Sequence, residues 1–82
     1  MQVSGVVRLV GSMPFYEIVI SGTEGQWYIS REDMDLLHDL QQQTVTVEGE
    51  ETVTVLRSVQ GHFERTRHEL KNIRIITVNS ED

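Results

Sequence analysis

One stretch of this chain carries apolar residues at helical spacing, and it divides a sequence that otherwise alternates like strands. Met34, Leu36, Leu37 and Leu40 form an apolar stripe at intervals of three and four. Ser30 and Asp33 stand three residues apart just before it, the spacing of an N-cap whose hydroxyl accepts from an orphan N–H. Glu32 and Asp33 suit the positive end of a helix dipole. These signals predict a single helix over about Arg31–Gln42.

Before it, three runs read as strands. Gln2–Val10 places Val3, Val7 and Leu9 on one parity, and Gly5 between them marks a bend or bulge. Gly11-Ser12-Met13-Pro14 punctuates the chain. Phe15–Ser21 follows, with Tyr16, Ile18 and Ile20 on one face. Gly22-Thr23-Glu24-Gly25 has the composition of a hairpin loop. Gln26–Ile29 is a short third strand in which alternation separates Trp27 and Ile29 from Tyr28.

After the helix, Thr44–Val47 and Thr52–Leu56 alternate strictly. Gly49 between them fits one long strand that bends there better than a hairpin turn. Ser58–Phe63 reads as a loop, and Glu64–Val78 as the last strand. Leu70 and Ile73 lie on opposite parities of that strand, which predicts a bulge near Lys71-Asn72.

Three strands, a helix and two more strands is the order of the OB-fold, a small five-stranded Greek-key barrel. Closure removes the exposed edges of short antiparallel strands, and one amphipathic helix can plug an open barrel end. The expected class is therefore all-β with one helix, in the order βββαββ. Residues 1–78 are expected to form one OB-like barrel domain and residues 79–82 a disordered tail.

The run from Gly5 to Phe15, followed by Glu17-Ile18-Val19-Ile20 and Trp27-Tyr28-Ile29, resembles small bacterial OB-fold domains. Some of these belong to envelope and lipoprotein-type proteins. Thr46-Val47-Glu48-Gly49 and Leu70-Lys71-Asn72-Ile73 agree with the fourth-strand glycine and closing strand of such domains. The resemblance implies the barrel, and it carries over no catalytic residue. The chain has no cysteine, hence no lipobox cysteine. The sequence leaves the compartment open between the cytoplasm and, if an export signal has been removed, the periplasm or envelope.

With 82 residues, such a domain buries roughly 60% of its unfolded surface, so most large apolar side chains are needed inside. The lack of cysteine excludes disulfides, thiolate metal sites and cysteine nucleophiles. No apolar run approaches the roughly 18 residues of a membrane span. The net charge of −6 argues against binding a polyanion. Yet Arg57, Arg65, Arg67, Lys71 and Arg74 gather in the last third. They form a basic strip that is either a solvated surface or an anion-facing ridge.

No motif announces chemistry. His38, His62 and His68 lack metal-ligand spacing, and His62 with His68 would need Glu64 or Glu69 as a third ligand. The acidic pairs Glu32/Asp33, Asp35/Asp39 and Glu50/Glu51 sit where carboxylates are ordinarily solvated. There is no calcium loop and no phosphate loop. No enzyme activity, cofactor or metal is expected.

The aromatics Phe15, Tyr16, Trp27 and Tyr28 fall where OB-folds stack bases, although a small core claims most of them. The expected role is a non-catalytic binding or protein-interaction module, with itself or another chain as partner. Single-stranded nucleic acid and a small ligand are the alternatives. The candidate contact residues are Tyr28, Arg8, Arg57, Phe63, Arg65 and Arg67. The final strand, if it were an open edge, could also add a strand from a partner.

Overall fold

The computed structural model describes residues 1–12, 14–57 and 64–79. Five strands close into a barrel: β1 (Gln2–Val10), β2 (Glu17–Gly22), β3 (Gly25–Ile29), β4 (Thr44–Arg57) and β5 (Glu64–Asn79). Their order around the barrel is β1-β2-β3-β5-β4, with β4 returning to β1. All pairs are antiparallel except β3 with β5, which meet in parallel at Tyr28↔Glu69 and Ile29↔Leu70. This is the expected OB-like Greek-key barrel.

Alternation explains the core. Val3 and Val7 of β1, Ile18 and Ile20 of β2, Trp27 and Ile29 of β3, Val45 and Val47 of β4, and Leu70 of β5 all point inward and are buried. β1 serves two partners: Gln2–Val6 pair with β4, and Val6–Val10 pair with β2. The turn between these halves falls at Gly5. A Cβ there would stand 2.6 Å from the carbonyl oxygen of Ser21, so only glycine fits.

β4 is one strand that bends, as Gly49 predicts. The Gly49 N–H donates to the Met1 carbonyl at 2.8 Å, and the Met1 ammonium donates to the Gly49 carbonyl at 2.9 Å. The pairing of β4 with β5 slips by one residue twice, between Thr46 and Val47 and between Glu48 and Glu50. The second slip is the expected bulge beside Lys71, and Asn72 takes a left-handed φ of 53° within it.

Between β3 and β4 the expected helix is much reduced. A 3-10 turn at Arg31–Asp33 leads into α1 (Met34–Leu37), one turn long, and a second 3-10 turn follows at His38–Leu40. The reason is tertiary. Gln42 donates to the Val7 carbonyl at 2.8 Å, and Val7 donates to the Gln43 carbonyl at 2.9 Å. Strand pairing with β1 thus takes the backbone groups that a longer helix would use. Leu37 is buried and Met34 and Leu40 pack beside the core, whereas Leu36 faces solvent. Ser30 does not cap in the expected way. Its hydroxyl donates to Asp33 Oδ2 at 2.7 Å, and the Asp33 N–H goes to the Ser30 carbonyl at 3.0 Å.

β2 starts at Glu17 rather than Phe15. The Phe15 N–H turns back to the Ser12 carbonyl at 2.8 Å and leaves the ring in solvent. The loop expected at Ser58–Phe63 lies outside the described residues, and so does the tail expected at residues 79–82 except for Asn79, which is paired with Thr44 as the last residue of β5.

Beyond the bulge, β4 and β5 leave the barrel together. β5 still pairs with β3 through Glu69 and Leu70, so the two-stranded ribbon runs from Val53↔His68 to Arg57↔Glu64. It helps to explain an elongated molecule of 47 × 29 × 23 Å.

Candidate functional site

Cross-strand register builds the outer face of the barrel. Arg8 lies opposite Val19, Val19 opposite Tyr28, and Tyr28 opposite Glu69, one row across four strands. Because β-strand side chains alternate, this row points away from the interior cluster, and Val19 alone in it is buried. Two residues along β5 the same face presents Arg67.

The Arg67 guanidinium carbon lies 4.0 Å from the centroid of the Tyr28 ring. Its Nε donates to Glu69 Oε1 at 2.7 Å, and its Nη2 pairs with Glu17 Oε1. Hydrogen bonding to Glu17, helped by Glu69, raises the Arg67 pKa further above its ordinary value. Arg67 is therefore a clamp, joining β2, β3 and β5 across the surface. The covered face of Tyr28 is not open to a base in this arrangement.

A groove of about 380 Å³ runs from this clamp to the ribbon. Gln26, Tyr28, Leu56, Arg65 and Arg67 line it. The other face of the ribbon continues the barrel interior. There Trp27 donates its indole N–H to Glu51 Oε2 at 3.0 Å, and the same oxygen meets His68 Nδ1 at 3.1 Å. The Trp27 hydrogen bond, then His68, holds the Glu51 carboxyl below its ordinary pKa. Past this cluster come Val53 and Val55, each 50% exposed; Leu56, on the opposite face, is 47% exposed.

Of the expected contact residues, the structure brings Tyr28, Arg65 and Arg67 to one groove. Arg8 is in the Tyr28 row but two strand spacings away, about 10 Å. Arg57 is far out on the ribbon, its Nε 3.0 Å from Glu64. Phe63 and His62 lie outside the described residues. The basic strip is largely neutralised: besides Arg57 and Arg67, Arg74 pairs with Glu48 at 3.6 Å.

Trp27 fills the core, Tyr16 is half-buried with its ring edge-on to His38, and Phe15 is exposed. Among the described residues no group of acidic and histidine side chains could hold a metal, and no helix is long and apolar enough to cross a membrane.

Sequence reasoning missed Glu17, Glu51 and the valines of the ribbon. Arg67 and Glu69 share a face by their i,i+2 spacing, which was a usable signal. Glu17 is fifty positions from Arg67, and only barrel closure joins them. The chain matches no protein-family model, no curated protein and no solved structure.

Proposed function

We propose that this domain is a non-catalytic protein-interaction module that binds through the β4–β5 ribbon. The observation that carries the reading is the exposure of Val53, Val55 and Leu56 on a ribbon with no second layer over it among the described residues. A small domain has few large apolar residues to spare, and three of them project from the barrel into water. Near the groove, Arg67 is tied to Glu17 and Glu69, and His68 to Glu51, which supports a binding role over catalysis.

Nucleic acid is the weaker reading, because Arg67 occupies the stacking face of Tyr28 and the chain is acidic. A small ligand would have the groove beside Leu56 and Arg65, at the lower end of ligand-pocket volumes.

A photo-crosslinking residue at position 55 tests the proposal, with the exposed position 36 as control. A discrete protein adduct formed from position 55 and absent from position 36 is expected. Equal, diffuse labelling from both would remove the ribbon as the binding surface. In parallel, labelled single-stranded oligonucleotides at low salt should show no binding.

A further inference from the structure

We propose that the partner of the ribbon is a second copy of this chain, joined edge to edge through β4 in antiparallel register centred on Thr54. The inference rests on the reading of the ribbon as the interaction surface and adds the identity of the occupant.

The barrel itself is closed and offers no edge. The ribbon has two. On β5 the free edge reads Glu64-Arg65-Thr66-Arg67, the charged pattern that keeps edges from pairing. On β4 it reads Thr52-Val53-Thr54-Val55-Leu56, five residues without charge, proline or glycine, all exposed. Pairing of β4 with β1 ends at Glu48, and among the described residues no strand covers the edge beyond Gly49. β-branched residues dominate this segment and favour strand pairing.

The segment is self-complementary. A two-fold antiparallel pair must centre on one residue, because facing residues share a face of the sheet. Centred on Thr54, it sets Val53 opposite Val55 of the second copy, and Thr52 opposite Leu56. It also sets Glu51 opposite Arg57 of the second copy, at both ends. All of Glu51, Val53, Val55 and Arg57 have one parity, so the four valines meet on one face with an acid–base pair at each flank. Both intrachain contacts of Glu51 use Oε2. Oε1 has no hydrogen-bond partner among the described residues and can accept from Arg57 of the second copy. Opposite charges facing each other stabilise such pairs, and like charges disfavour them. Seven facing residues make a small interface, so the dimer is weak and forms at high concentration.

The absence of cysteine gives a clean test. Cα atoms directly opposite in an antiparallel pair are about 4.5–5.5 Å apart, within disulfide reach. Thr54→Cys should therefore oxidise rapidly to a dimer. In Thr52→Cys the two sulfurs would be offset by four residues, about 14 Å at ~3.4 Å per residue, and should not join readily. Sedimentation equilibrium from about 10 μM to about 1 mM should show reversible dimers of the unmodified chain. Val53→Lys and Val55→Glu should each weaken self-association about tenfold. Mixed together they should recover it, because the lysine introduced in one copy then faces the glutamate introduced in the other.

A monomer throughout that range, with both cysteine variants oxidising at equal rates, would overturn the proposal. If position 55 then still crosslinks to a different protein, self-pairing falls and the ribbon remains the binding surface. If it yields no specific adduct of any kind, both readings fall together.

Discussion

Trp27 and Glu51 are joined by a 3.0 Å hydrogen bond from the indole N–H to Oε2, at the point where the barrel interior becomes the open face of the ribbon. Trp27 is buried, and its N–H needs a partner there. The bond favours ionised Glu51, as does His68, so the folded-state pKa lies below the ordinary value of 4.5. A carboxylate with a depressed pKa contributes stability that is present above its unfolded pKa and lost as pH falls through the folded one. The melting temperature should therefore drop as pH falls below 4.5. Glu51→Gln keeps an acceptor for Trp27 and removes the titration. Its melting temperature should be lower than that of the parent near neutral pH, and the gap should narrow in acid. A gap that stays constant with pH would show that the charge of Glu51 does not matter.

The barrel corner at Gly5 gives a sharper stability prediction. Ser21 and Gly22 of β2 pack against the backbone of β1 where its partner changes from β4 to β2. Gly5→Ala puts a methyl 2.6 Å from a backbone oxygen, which must move. Overpacking of this kind costs about 1–3 kcal/mol. Urea unfolding of Gly5→Ala should show a lowered midpoint with an unchanged slope. An unaltered midpoint would mean that β1 can shift freely at this corner.

Strand parity is legible in the sequence because alternation is a local property. It sets Trp27 and Ile29 on one face and Tyr28 on the other, and the glycines mark the bends at Gly5 and Gly49; which face is the inner one is decided by barrel closure. The helix reads too long because Met34, Leu36, Leu37 and Leu40 have the right period, while the hydrogen bonds of Gln42 and Gln43 to Val7 are set thirty-five and thirty-six residues away in sequence. The same limit hides the site. Tyr28 and Arg67 can be named as candidates, but Arg8 and Arg57 are as plausible as neighbours. Parallel pairing of β3 with β5 selects Arg67, and that pairing has no local signature.

Arg67 should behave as a structural clamp. Its planar guanidinium stacks on Tyr28 while donating to Glu17 and Glu69, a combination that an ammonium group cannot reproduce. Arg67→Lys should cost about 0.5–1 kcal/mol, measured by chemical denaturation. Because the clamp faces solvent, part of the difference should fade as salt rises. No loss in Arg67→Lys at low salt would mean that the stack contributes nothing.

Asn72 aims the ribbon. It sits in the bulge where β5 carries an extra residue against β4, at φ 53°, and its Nδ2 donates to Glu50 Oε2 at 2.6 Å. Asparagine tolerates the left-handed region, whereas a β-branched residue does not. Asn72→Val should lose about 1–2 kcal/mol, which for a domain of this size lowers the melting temperature by about 4–8 °C per kcal/mol. Asn72→Gly keeps the backbone geometry and gives up only an exposed hydrogen bond, so its melting temperature should stay near that of the parent. If both variants melt alike, the left-handed conformation is not what the position requires. If only valine is harmful, the bulge is a built bend. The angle at which β4 presents Thr52–Leu56 then depends on one backbone residue of β5.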